Sequence, residues 1–61
     1  MPIVQMEILK GRTLEQKQEM VKEVTEAICR TLLCPPEAVS IIIREMEKDN
    51  YAVAGKLYSD K

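Results

Sequence analysis

Few groups in this chain could move a proton or hold an acid, and the first of them stands at its start. Pro2 follows the initiator methionine, so removal of Met1 would leave a secondary amine held in a ring. An α-amino group titrates near pH ~8. In a water-poor pocket its charged form is disfavoured, its pKa falls toward neutrality, and the amine becomes a usable general base. Arg12 follows Gly11 just ahead of a helix start, where a guanidinium and unpaired backbone N–H groups together attract a carboxylate. Tyr51, in the tail, is a third group that could meet these two at one site. Each also has a plainer reading: proline at the first residue of a strand costs no ladder hydrogen bond, an arginine in a loop is commonly just solvated, and tyrosine serves packing. The chain has no histidine, and its two cysteines, Cys29 and Cys34, stand five apart without C-x-x-C spacing, so no metal site is expected.

Three elements must position these groups. Met1 to Leu9 reads as a strand with Val4, Met6 and Ile8 on one face and Ile3, Gln5, Glu7 and Leu9 on the other, the first facing a core and the second a neighbouring subunit or a pocket. Lys10-Gly11-Arg12 breaks the alternation. Thr13-Leu14-Glu15-Gln16 is then a capping box, with Thr13 as N-cap and Gln16 three residues on. The helix it opens should bury a stripe of Leu14, Val21, Val24, Ala27, Ile28 and Leu32, with Met20 at its margin. Glu19 with Lys22, and Glu26 with Arg30, are spaced to pair on the opposite face. Pro35-Pro36 ends the helix, and Val39 to Ile43, carried on by Arg44-Glu45-Met46, reads as a strand buried on both faces. Strand, helix and strand make a βαβ unit, whose strands run parallel with a right-handed crossover. After the Lys48-Asp49-Asn50 turn, Tyr51-Ala52-Val53 and Lys56-Leu57-Tyr58 flank Ala54-Gly55 as a short hairpin. Such a hairpin is unstable alone and should dock on a neighbour.

Sixty-one residues make one domain, residues 1–61, and a monomer of this size buries only about 60% of the surface its unfolded chain exposes. Yet 46% of the residues are apolar, with no Phe or Trp and two Tyr, more aliphatic surface than one helix can cover. An oligomer is expected. The net charge of −1 with interleaved signs argues against a nucleic-acid surface. No run reaches the length of a signal peptide or membrane span, so no membrane is expected and the cytoplasm is. Cys29 and Cys34 should be free thiols there. Five residues around a continuing helix leave them about 140° apart, which disfavours a bridge.

Pro2-Ile3-Val4-Gln5, Gly11-Arg12-Thr13, Glu15-Gln16-Lys17, Val24-Thr25-Glu26-Ala27-Ile28, Glu45-Met46 and Tyr51-Ala52-Val53-Ala54-Gly55 closely resemble the 4-oxalocrotonate tautomerase family along nearly the whole chain. The resemblance implies an α+β fold: a two-layer β-α-β subunit with a parallel strand pair and a short C-terminal hairpin, assembling into a homohexamer, a trimer of dimers, with active sites built from more than one subunit. It implies a cofactor-independent isomerase interconverting enol and keto forms of a small unsaturated 2-oxo acid. Carried over by position, Pro2 is base and then acid, Arg12 binds a substrate carboxylate, Tyr51 stands where the family has an aromatic wall, and Leu9 lines the pocket. The chain departs from the family at Ser40, where well-studied members carry a second arginine after a valine. Arg44 shares that strand face but lies about 13 Å further on, so the second carboxylate clamp is in doubt and the base is not. Two other readings stand beside this one. The same proline held cationic would serve hydration or dehalogenation of an unsaturated acid, which calls for further polar groups. A non-catalytic oligomeric β-α-β module would use it only as a chain start.

Overall fold

The alternation that begins at Ile3 produces β1 (Ile3–Leu9) in a computed structural model describing residues 1–60. It pairs in parallel with β2 (Ser40–Met46), Ile3 opposite Ser40 and Leu9 opposite Met46. Parallel strands need a long connection, and here it is α1 (Leu14–Leu32). Successive strand side chains point to opposite faces, which puts Val4, Met6, Ile8, Ile41 and Ile43 on one face, all half-buried. The helix lies on that face: Lys17 Nζ reaches Glu45 Oε2 at 2.6 Å, and Met20 and Ile8 line one cavity.

Both ends of α1 are set locally. Thr13 is the N-cap and its box with Gln16 forms as expected, Thr13 Oγ1 accepting from the Gln16 N–H at 3.1 Å and Gln16 Oε1 accepting from the Thr13 N–H at 2.9 Å. Gly11 at φ 128 turns the chain from β1 into this cap, a conformation open to glycine. The stop comes earlier than the prolines. Leu33 sits in the left-handed region at φ 55, ψ 53, Pro35 is extended, and Pro36 opens a short 3₁₀ turn, Pro36–Ala38. The buried stripe is also shorter than its spacing predicts: Met20, Val21, Val24, Ala27 and Ile28 are half-buried, while Leu14 is 69% and Leu32 63% exposed. The expected helix-surface pairs do not form. Ion pairs among the described residues instead tie the residues just beyond β1 and β2 together, Lys10 to Glu47 at 2.9 Å, and α1 to β2, Lys17 to Glu45.

Beyond a 3₁₀ turn at Lys48–Asn50, β3 (Ala52–Val53) and β4 (Lys56–Leu57) form an antiparallel hairpin, followed by a 3₁₀ turn at Tyr58–Asp60. Ala54 at φ 54 and Gly55 at φ 81 are both left-handed, as a two-residue turn matching strand twist requires.

A chain of this length folded on itself would have a radius of gyration of about 10.5 Å. This one has 14.7 Å, with extents of 43 × 24 × 14 Å, and none of its described residues is fully buried. The sheet face away from α1 is open, with Ile3 61% and Ile42 41% exposed. The sequence reads β2 as buried on both faces, whereas a single chain covers one. Among the described residues no helix is long and apolar enough to cross a membrane.

Candidate active site

Pro2 lies immediately before β1, and its carbonyl accepts the Ser40 N–H at 3.1 Å, extending the ladder by one bond. It is half-buried in a cavity of about 340 Å³ that it shares with Met1, Leu32 and Cys34. While Met1 is attached, the Pro2 nitrogen is an amide with no basic lone pair. Ser40 belongs to the same end of the sheet, on the face of Ile3 and Ile42 and away from the helix.

Arg12 and Leu9 are at the other end. Seven residues of parallel strand rise about 23 Å, so β1 holds Leu9 roughly that far from Pro2. Arg12 borders a cavity of about 550 Å³ with Leu9, Lys10, Gly11, Lys48 and Tyr58, and a second of about 240 Å³ with Ile8, Gln16, Lys17 and Met20. Lys10 and Lys17 are each neutralised by a glutamate, and the hydrogen bond to Glu47 raises the Lys10 pKa above its ordinary 10.5. The exposed Arg12 guanidinium has no ion pair or side-chain hydrogen bond among the described residues, which leaves it free for an anion. The capping box occupies the Gln16 and Thr13 N–H groups, so the guanidinium rather than the whole helix terminus is the principal anion donor.

Tyr51, 39% exposed, also belongs to this end, its ring centroid 5.8 Å from that of Tyr58 at a tilt of 51°. The Tyr58 N–H donates to the Tyr51 carbonyl at 2.7 Å. It is Tyr58 that borders the cavity at Arg12, a neighbour the sequence reading missed. A signal existed: with Ala52 opposite Leu57 and Val53 opposite Lys56, extending the hairpin register by one residue sets Tyr51 against Tyr58. Within one chain, then, Pro2 and Ser40 are together, Leu9, Arg12 and Tyr51 are together, and a whole strand separates the two groups. Among the described residues no three His, Cys, Asp or Glu come together as a metal-binding group.

The model of a family described as tautomerase enzyme matches residues 2–61. The chain belongs to the tautomerase family. A 2-hydroxymuconate tautomerase of Bacillus subtilis is 50% identical over 60 residues, covering 98% of this chain and 97% of that protein. Among solved structures, a 4-oxalocrotonate tautomerase isozyme from Methylibium petroleiphilum superposes with a TM-score of 0.94 at 44% identity, over 97% of this chain and 92% of that one. A heterohexameric 4-oxalocrotonate tautomerase from Chloroflexus aurantiacus superposes at 0.92 with 27% identity, over 98% and 97%. The fold is that of these tautomerases, and the protein is an isomerase.

Proposed function

We propose that this tautomerase interconverts the enol and keto forms of a small unsaturated 2-oxo acid, using the Pro2 amine, freed by loss of Met1, as its base and then its acid. The amine takes the proton of the enol hydroxyl and returns one to carbon, so no atom is gained or lost overall and no cofactor enters. Arg12 holds a substrate carboxylate, while Leu9 and the Tyr51–Tyr58 pair line the far side of the pocket and keep it dry. The relative named for 2-hydroxymuconate supports an enol acid as the substrate class, and the cytoplasm, where free thiols persist, is the setting that Cys29 and Cys34 suit.

The observation that carries the reading is the separation of Pro2 from Arg12 along β1. Because about 23 Å of strand stands between them, a substrate touching both groups must lie between subunits. The open sheet face, the exposed hairpin and the hexameric relative support a homohexamer arranged as a trimer of dimers. Processed protein is expected to ketonise an aryl enol 2-oxo acid, followed by ultraviolet absorbance. Protein retaining Met1, or carrying any residue ahead of Pro2, should lose the ~10²–10⁴ in rate typical of a missing general acid or base. Pro2→Ala, which keeps a primary amine, should lose less. Equal rates for blocked and free chains would remove proline from the mechanism.

A further inference from the structure

On a continuing helix Cys29 and Cys34 would point apart, but the helix stops between them. Leu33, in the left-handed conformation at φ 55, ψ 53, reverses the chain one residue before Cys34. A helix closed this way carries the residue after the left-handed one back over its last turn, against the side chain five positions earlier. That side chain is Cys29. Both cysteines are free and half-buried, and their neighbourhoods differ. Cys29 lies in a shallow recess with Val21, Thr25 and Pro36, whereas Cys34 lines the cavity of about 340 Å³ that also holds Pro2 and Leu32.

We propose that Cys29 and Cys34 form a peroxide-sensitive dithiol whose reversible disulfide reshapes the wall of the Pro2 cavity. Cys34 is the sulfur reached through that cavity. Its thiolate attacks hydrogen peroxide: the S–O bond forms, the O–O bond breaks, hydroxide leaves, and a sulfenic acid remains. Cys29 then displaces the sulfenic oxygen as water and the S–S bond closes. In sum two thiols and one peroxide give a disulfide and two waters, and a dithiol reductant reverses the change. Cys29 is the poorer attacker of peroxide, because burial first, and then the charge and hydrogen bonding of Cys34, favour its protonated thiol, and it gives up that proton to the departing sulfenic oxygen as the S–S bond closes. A bridge needs Cα atoms about 4.4–6.8 Å apart, a separation that the chain reversal at Leu33 favours and a continuing helix would not provide. Closing the bridge draws Cys34 onto the last helical turn and changes the surface facing Pro2. This chemistry stands whether or not the protein acts on enol acids.

The test uses the full chain in its native assembly, reduced and then treated with hydrogen peroxide and an alkylating agent. Intact mass should show the loss of two hydrogens with neither thiol alkylated, and dithiothreitol should restore both. Peptide mapping should join Cys29 to Cys34 of one chain. Cys29→Ser should instead leave a sulfenic acid on Cys34 that dimedone captures. The Pro2 ring ¹³C resonances should move on oxidation and return on reduction, and should not move in the Cys29→Ser, Cys34→Ser double variant. Two thiols still alkylated after peroxide, a bridge joining different chains, or Pro2 resonances that ignore a closed disulfide would each overturn the proposal. The mass and mapping results need only the unsubstituted protein, so a variant that fails to fold leaves the test intact.

Discussion

At the scale of single residues, the charges already satisfied within the chain determine which group is left to meet an acid. Glu47 and Glu45 occupy Lys10 and Lys17, and the Arg12 guanidinium remains open to a carboxylate. A hydrogen bond to a charged group contributes about 1.5–3 kcal/mol, so Arg12→Ala should lower kcat/KM about 10- to 150-fold for monoacid and diacid substrates alike. On the proposed site Ser40 stands where the resemblance leads one to expect an arginine, so a diacid would present its second carboxylate to a hydroxyl. Ser40→Arg is expected to raise diacid turnover selectively within the same range, since charge-assisted bonds are roughly twice as strong as neutral ones. Steady-state rates on a matched monoacid and diacid check both predictions, and an unchanged ratio in an intact oligomer would mean that position 40 does not meet substrate. Cys29 makes a prediction in pH. Its pKa is raised above the ordinary 9.0, by burial first and by Cys34 second. The unfolded chain therefore ionises Cys29 at lower pH than the folded one, and the stability this shift contributes, fully present below pH 9, is lost as pH rises through the folded value. Thiolate absorbance at 240 nm should show Cys29 ionising late, and earlier once Cys34→Ser removes the second cause but not the first.

At the scale of elements, much of the fold was legible because local signals agree with one another. Thr13 and Gln16 have the spacing of a capping box and form one; Val4, Met6 and Ile8 alternate and face the helix; Ala54-Gly55 sits between two short β-prone runs and makes the turn. Thr13→Ala removes the side-chain half of the box, leaving the Gln16 N–H without its hydroxyl acceptor, and should destabilise the protein by about 0.5–2 kcal/mol, measured by urea unfolding at fixed protein concentration. Ala54 adopts a left-handed conformation that costs an L-residue other than Gly, Asn or Asp roughly 1–2 kcal/mol. Ala54→Asn, giving the favoured Asn-Gly turn, should therefore stabilise by roughly 0.5–1 kcal/mol. The helix stop was not legible. Pro35-Pro36 marks the region, but the reversal falls on Leu33, a residue type with no preference for left-handed backbone. That hid the approach of Cys34 to Cys29, just as naming the two hairpin arms without pairing them in register hid Tyr58 behind Tyr51.

At the scale of the whole molecule the sequence points to more apolar surface than a single chain can cover, without showing where the pieces of the site fall. Aliphatic residues on both faces of β2 lead to the expectation of a partner, and the extended chain leaves Ile3 and Ile42 exposed on the face such a partner would cover. Three site residues drawn from three elements invited the reading that they converge. The length of β1 forbids it within one chain, since strand length is a sum over residues that no motif reports. The proposed hexamer resolves this by setting Pro2 of one subunit near Arg12 of another. Complementation tests that arrangement most directly. Chains with Pro2 blocked by a preceding residue and chains carrying Arg12→Ala, each nearly inactive, would be refolded together and assayed on an enol 2-oxo acid, with mixed oligomers verified by native mass spectrometry. If each site draws its amine and its guanidinium from different chains, random mixing in equal amounts should restore about a quarter of the sites, and about that share of wild-type turnover. Mixed oligomers no more active than the average of their parents would contradict a site shared between subunits.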